Sequence, residues 1–175
     1  MEARTEPRPT GRDLLIRRSL EPGDAQSIVE LHRRVYPPHY RVDESFVGDI
    51  DGTFAMLEAR GWPGPGDAVW IVEGPSGAVA GSLILTNEGE GEGRVRLFVF
   101  EESLRGQGLG RRLLGELLAS ARSFGYERLT LATFADLRAA AHLYREAGFR
   151  VVTEDRKPRW GRRQFNYQHY ELRLR

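Results

Sequence analysis

Apolar positions along this chain change period several times, and each change predicts an element. Residues 14–20 are a short apolar run, read as a first strand. From Asp24 the spacing lengthens: Ala25, Ile28, Val29, His32, Val35 and Tyr36 share one side of a helix that Pro37 and Pro38 stop. Asp43 is placed to cap a second helix, where Phe46, Ile50, Phe54 and Leu57 recur at helical spacing until Gly61 opens a Pro- and Gly-rich loop. Residues 68–73 and 78–86 are β-rich and joined by Gly74-Pro75-Ser76-Gly77, the composition of a hairpin turn. Residues 87–93, alternating glycine and glutamate, read as a mobile connection into a strand at 94–100. Leu109, Leu113, Leu114, Leu117, Leu118, Ala121 and Phe124 then form a wide helical stripe stopped at Gly125. A strand at 127–134 follows, then a short helix with Asp136 placed as its cap and Gly148 at its end, and last strands at 149–153 and 165–174. The order is strand, two helices, three strands, helix, strand, helix, two strands, an α+β arrangement without internal repeat.

Composition narrows the function classes. At 175 residues the chain suits one domain with a full core, placed at 12–175 behind a flexible tail at 1–11 that carries Pro7, Pro9 and Gly11 among charges. Net charge is +1, which leaves no field to recruit nucleic acid or an anionic membrane. Cysteine is absent, so disulfides, thiolate zinc sites and a relay through an acylated cysteine are excluded. No apolar run is long enough to span a bilayer, and a cytoplasmic location is expected. His32, His39, His142 and His169 form no spaced ligand set, and no Gly-x-Ser-x-Gly elbow occurs, so no metal is expected and hydrolase chemistry drops out.

The chemistry concentrates at one junction. The strand at 94–100 runs through Glu101 into Arg105-Gly106-Gln107-Gly108-Leu109-Gly110 and then a helix. Glycines there let backbone amides converge beside the positive end of a helix dipole, and Arg105, Arg111 and Arg112 add full charges, which makes an anion cradle suited to phosphate. The alternative is a tight strand-to-helix turn with no ligand. A P-loop is excluded because Arg111 and Arg112 stand where Lys and Ser or Thr belong. The dinucleotide fingerprint is excluded too, because its third glycine would fall on Arg111 or Leu113.

The turn Arg-x-x-Gly-x-Gly at 105–110 resembles the pyrophosphate-binding turn of the GCN5-related N-acetyltransferases (GNAT). A second segment, with His142-Leu143-Tyr144 near a helix end and Gly148-Phe149 after it, is similar to the same family's later motif, and the order of elements also matches. One position departs: the Asn often found seven residues before the Tyr is Leu137 here. The resemblance implies a mostly antiparallel seven-stranded sheet splayed between its fourth and fifth strands, with about four helices in a three-layer α/β arrangement. It implies acetyl-coenzyme A as cosubstrate, held by the backbone of Phe98, Val99 and Phe100 and by Arg105, Gly106, Gln107, Gly108, Leu109, Gly110 and Arg111. Tyr144 would protonate the leaving thiolate, although by spacing alone it shares an apolar helical face with Leu137, Ala140, Ala141 and Ala147, where an aromatic is most often core. For the general base Glu73, Glu88, Glu101, His32 and His39 come into question, and Glu101, just past the strand, is preferred; deprotonation through water is the other route. The expected reaction is direct transfer to a primary amine of a small molecule or peptide, and the alternative is a non-catalytic acyl-coenzyme A sensor on the same fold. Tyr36, Tyr40, Trp62 and Trp160 suggest an aromatic acceptor pocket. The basic cluster Arg156, Lys157, Arg159, Arg162 and Arg163 favours an anionic acceptor while Glu88, Glu90 and Glu92 favour a cationic one, so the acceptor stays open, as does a homodimer.

Overall fold

The computed structural model describes residues 14–174, so the tail at 1–11 lies outside the described residues. Its elements are β1 (Leu15–Arg17), α1 (Asp24–Val35), α2 (Pro37–Tyr40), α3 (Glu44–Ala59), β2 (Ala68–Glu73), β3 (Val79–Gly89), β4 (Glu92–Phe100), α4 (Leu109–Ser123), β5 (Arg128–Phe134), α5 (Arg138–Glu146), β6 (Arg150–Arg159) and β7 (Arg162–Arg173). They build one sheet in the order β1-β2-β3-β4-β5-β7-β6. Every neighbouring pair is antiparallel except β4 and β5.

Helices cover both faces, which is why β2 and β3 are apolar at almost every position rather than alternating. Val69, Ile71 and Ile84 point toward α1 and α3, where Ile28, Leu31, Phe46, Phe54 and Leu57 meet them. Trp70, Val72, Leu83 and Leu85 point the other way, onto Leu113, Leu114 and Leu117 of α4 and Tyr144 of α5. Each such fully buried aliphatic side chain contributes roughly 1.5 to 3 kcal/mol. The Nε1–H of buried Trp70 donates to Glu116 at 2.9 Å, so its one polar atom is satisfied. Arg17 ties the first strand to the rest, donating to Asp24 at the head of α1 at 2.9 Å and to Glu73 of β2.

Several boundaries differ from the sequence-based expectation. Residues 87–93 are no mobile connection: β3 and β4 run through them to a tight turn in which Glu90 (φ 49°) and Gly91 (φ 75°) both take left-handed backbone. Two consecutive positive φ values are what a two-residue hairpin between right-twisted strands requires. The first strand is shorter than 14–20, ending at Arg17. The sixth is longer than 149–153: β6 continues to Arg159 and pairs with β7 to the tip Trp160–Gly161. Its charged, Pro158-containing half escapes a hydrophobic reading because it is an exposed edge strand, where proline is tolerated. Pro37 and Pro38 stop α1 and also start the four-residue α2, proline being suited to a first helical turn. Asp43 caps α3 as expected, accepting from the Ser45 amide at 3.0 Å. Asp136 does not cap α5; its carboxylate accepts from Arg162 at 3.1 Å, and the N-cap position is Leu137.

Candidate active site

The parallel pair β4–β5 holds together only at Glu92, Gly93 and Arg94, which face Arg128, Leu129 and Thr130. Beyond Arg94 the two strands part, because β4 stays with β3 to Phe100 while β5 stays with β7 to Phe134. A bulge bends β4 at the parting point: Leu97 has φ 50°, the register shifts opposite Leu83, and the Ser82 hydroxyl donates to the Leu97 carbonyl at 2.5 Å. Peptide N–H groups alternate along a strand. Since Glu101 N donates to Ala80 O at 2.8 Å and Val99 is paired with Ser82, those of Phe98 and Phe100 face the parted side. A groove of about 920 Å³ fills the parting, lined by residues 94–100 on one bank and 131–134 on the other.

At the C-terminal end of β4 the groove meets the glycine turn. Gly106 (φ 74°) and Gly108 (φ 76°) both take left-handed backbone, and a Cβ added at either would enter open space. The first backbone bond of α4 is Arg112 N to Gly108 O at 3.0 Å. Among the described residues, the peptide N–H groups of residues 106–111 have no protein acceptor. Arg105 lines the groove with its guanidinium uncommitted among the described residues, whereas the Arg111 guanidinium donates to both carboxylate oxygens of Glu146, at 2.8 and 3.0 Å. Gln107 turns its side chain back onto Ser103 O at 2.9 Å, so only its amide faces the cradle. Leu109 is buried beneath the helix start. Gly110 brings the backbone so close to its neighbours that an added Cβ would lie 3.3 Å from Leu143 and 3.6 Å from Phe100.

Tyr144 stands on the α5 bank. Its ring packs against Phe98, Phe149 and Tyr170, with centroids 6.2, 5.9 and 5.8 Å away, so it belongs to the core and to the groove wall at once. Its hydroxyl bonds no described residue, yet it is not among the atoms sealed from solvent without a partner, so it opens to the groove. Burial pushes its pKa well above the ordinary phenol value. Leu137, at the position of the departing Asn, lines the same bank and brings no polar group.

Of the five candidate proton acceptors, the groove wall contains His32 alone. Glu101 lies on the far side of the turn, its carboxylate accepting from Arg34 at 3.0 Å, so the preferred base is not brought to the groove. His39 sits beside Glu102 and Glu73 beside Arg17. Glu88 is held by Arg60 and Arg96; burial opposes its charge, but those partners and Thr86 bring its pKa down to about 2. His32 is 3% exposed, and burial lowers its pKa from 6.5 to about 4 against the effect of its backbone bond. Its Nδ1 lies 2.8 Å from the Ile28 carbonyl, which can only accept, so Nδ1 carries the proton and Nε2 is left as an acceptor.

The end of the groove on the α1 and α3 side of the sheet has a different lining. Tyr36, Tyr40 and Trp160 are there as expected, while Trp62 is not; it packs on Phe54 beneath the Gly-Pro loop. Arg94 and Arg96 of β4, Asp49 and Met56 of α3, and Arg159 and Tyr167 of the last hairpin complete the lining, and sequence reading passed over most of them. A signal existed: two arginines at alternate positions of an otherwise apolar central strand put charge on one face of a sheet covered on both sides.

Residues 25–149 match the model of the Acetyltransferase (GNAT) family. An uncharacterized N-acetyltransferase of Escherichia coli (strain K12), YjgM, is 34% identical over 90 residues, which are 50% of this chain and 54% of that protein. The chain thus spans about half the length of that curated relative. Among solved structures, yncA of Salmonella typhimurium, determined with its cofactor acetyl-CoA, superposes with a TM-score of 0.69 at 23% identity over 93% of this chain and 94% of that one. An acetyltransferase of GNAT family from Staphylococcus aureus Mu50 gives a TM-score of 0.71 at 14% identity, over 93% and 99% of the two chains. At these identities the structural matches carry the fold.

Proposed function

The chain belongs to the Acetyltransferase (GNAT) family, and from that premise we propose that it is an N-acetyltransferase acting by direct transfer from acetyl-coenzyme A to a primary amine. One observation carries the reading: the parting of β4 from β5 ends beside a helix start whose amides at 106–111 have no protein acceptor among the described residues. A diphosphate suits that turn, because glycines at 106 and 108 leave it open and Arg105 supplies charge. An extended amide-bearing arm suits the free edge of Phe98 and Phe100, which can bond it as a strand would. Acetyl-coenzyme A, when bound, supplies the thioester acyl group.

The chain's own residues then divide the work. The N–H groups of Phe98 and Phe100 are donors for oxygen charge that develops at the acyl carbonyl. Tyr144 holds a proton at the groove wall, and its raised pKa keeps that proton in place at neutral pH. The same dry surroundings raise the basicity of a departing thiolate, so transfer between the two is not penalised by burial alone. His32 is too weak a base to retain a proton, but its Nε2 can accept a hydrogen bond from a water that relays the amine proton outward.

The test pairs calorimetry of acetyl-coenzyme A binding with thiol release over an amine panel, on the parent protein and Tyr144→Phe. The variant is expected to bind with unchanged affinity and to lose roughly 10²- to 10⁴-fold in kcat. An unchanged kcat returns Tyr144 to the core. Tight binding with no turnover over the panel makes the protein an acyl-coenzyme A sensor.

A further inference from the structure

The acceptor end of the groove carries more positive charge than its surroundings neutralise. Arg96 is spent on Glu88 at 3.1 Å, and Glu88 on Arg96 and Arg60. Glu92 is occupied by Arg128 and Thr130 on the far side of the strand pairing, and Glu90 sits at the hairpin tip. The acidic residues that suggested a cationic acceptor are therefore either paired or outside the groove wall. Arg94 and Arg159, both partly buried in that wall, have no carboxylate partner among the described residues. Arg159 instead lies over the Tyr167 ring at 4.3 Å and the Trp160 ring at 5.1 Å. Both positive charges act on the Tyr167 hydroxyl: burial raises its pKa, and Arg159 and Arg94 each pull against that. Asp49 is the acidic side chain of this end, and it accepts the Trp160 Nε1–H at 2.7 Å. The single Asp49 charge can answer only one of these two partly buried cations, and the other is costly to hold there unless a ligand supplies a counter-charge. Around them the wall is apolar, with Ile50, Met56 and Trp160 facing the same space.

Resting on the acetyltransferase reading, we propose that the acceptor is a free α-amino acid with an apolar or aromatic side chain, its carboxylate held by Arg94 and Arg159 and its amine turned toward the acyl group. The amine nitrogen bonds the acyl carbon as the carbon–sulfur bond breaks. Of the two protons the ammonium gives up, one reaches the leaving sulfur by way of Tyr144 and the other goes to water. Arg94 and Arg159 do no proton transfer; they select and orient.

The experiment compares kcat/KM, by thiol release, for phenylalanine, leucine and methionine against the decarboxylated amines and the carboxamides of the same side chains. Parent protein, Arg94→Met and Arg159→Met are each assayed, with acetyl-coenzyme A affinity measured by calorimetry as the check on folding. The acids are expected to exceed their amines and amides by roughly 10- to 100-fold, the worth of a charge-assisted contact, and Arg94→Met to erase that preference with cofactor affinity intact. Equal use of acids and amines, preference for amines, equal loss on both in Arg94→Met, or acetyl-coenzyme A binding with no member of the panel acetylated overturns the amino-acid assignment and leaves cofactor binding standing. Absence of acetyl-coenzyme A binding overturns the acetyltransferase reading itself.

Discussion

His32 makes the fold sensitive to mild acid in a way that can be calculated. Its ring stacks on Tyr36 at 5.5 Å and lies 6.3 Å from Phe46, inside the layer between α1 and the sheet, and burial lowers its pKa from 6.5 to about 4. The unfolded chain therefore binds a proton at this residue at higher pH than the folded one. Its contribution to stability is fully present above the unfolded value and is lost as pH falls toward the folded one. Integrating the linkage relation, the folded state loses roughly 2 kcal/mol between about pH 7 and about pH 5, and roughly 3 kcal/mol by about pH 4. Carboxylates also titrate at the acid end, so the comparison needs a variant that removes only this group. His32→Phe keeps an aromatic ring between Tyr36 and Phe46 and cannot be protonated. Urea unfolding of both proteins at the two upper pH values should show the parent losing about 2 kcal/mol more than His32→Phe. Parallel losses in the two proteins, or an NMR titration of His32 centred near the ordinary histidine value, would refute the reasoning, because the ring would then reach water when charged.

Two further substitutions probe the cradle and the sheet. Gly108→Val places a β-branched residue at φ 76° with its side chain in the groove mouth; it should abolish acetyl-coenzyme A binding in calorimetry and lower stability by about 1 to 2 kcal/mol, and retained affinity would remove the turn from the cofactor site. Gly93→Ala sets a Cβ 2.8 Å from Leu129, 2.9 Å from Tyr126 and 3.0 Å from Leu85, at the one stretch where β4 and β5 pair; thermal or urea unfolding should register a loss of about 1 to 3 kcal/mol, and an unchanged midpoint would mean those side chains give way freely.

Much of the element list is legible in the chain because it depends on local rules. The helical stripe from Leu109 to Ala121, the stop at Gly125 (φ 80°), the cap at Asp43 and the stop at Gly148 (φ 100°) each reflect the conformational limits of a few neighbouring residues. The departures have a common cause. Residues 87–93 look disordered by composition until two long strands force them into a turn, and the charged half of β6 becomes a strand because β7 offers it a ladder. Asp136 has the right type and place to cap α5, yet Arg162, 26 residues later, competes for its carboxylate and holds it. Glu101 is adjacent in sequence to the cradle but its side chain leaves the strand on the face of Arg34.

Neighbouring residues are enough to specify an α+β chain with an anion-binding turn between a strand and a helix, since glycine placement and apolar period are local properties. Which charges are already answered, and which face the groove, is settled by long-range packing instead. Arg94, Arg96, Asp49 and Arg159 come from β4, α3 and the final hairpin, and the pairings that silence Glu88 and Glu101 reach back to Arg60 and Arg34, 28 and 67 residues away in the chain. Charge balance in a partly buried space is a sum over everything that packs there, and no local pattern contains that sum.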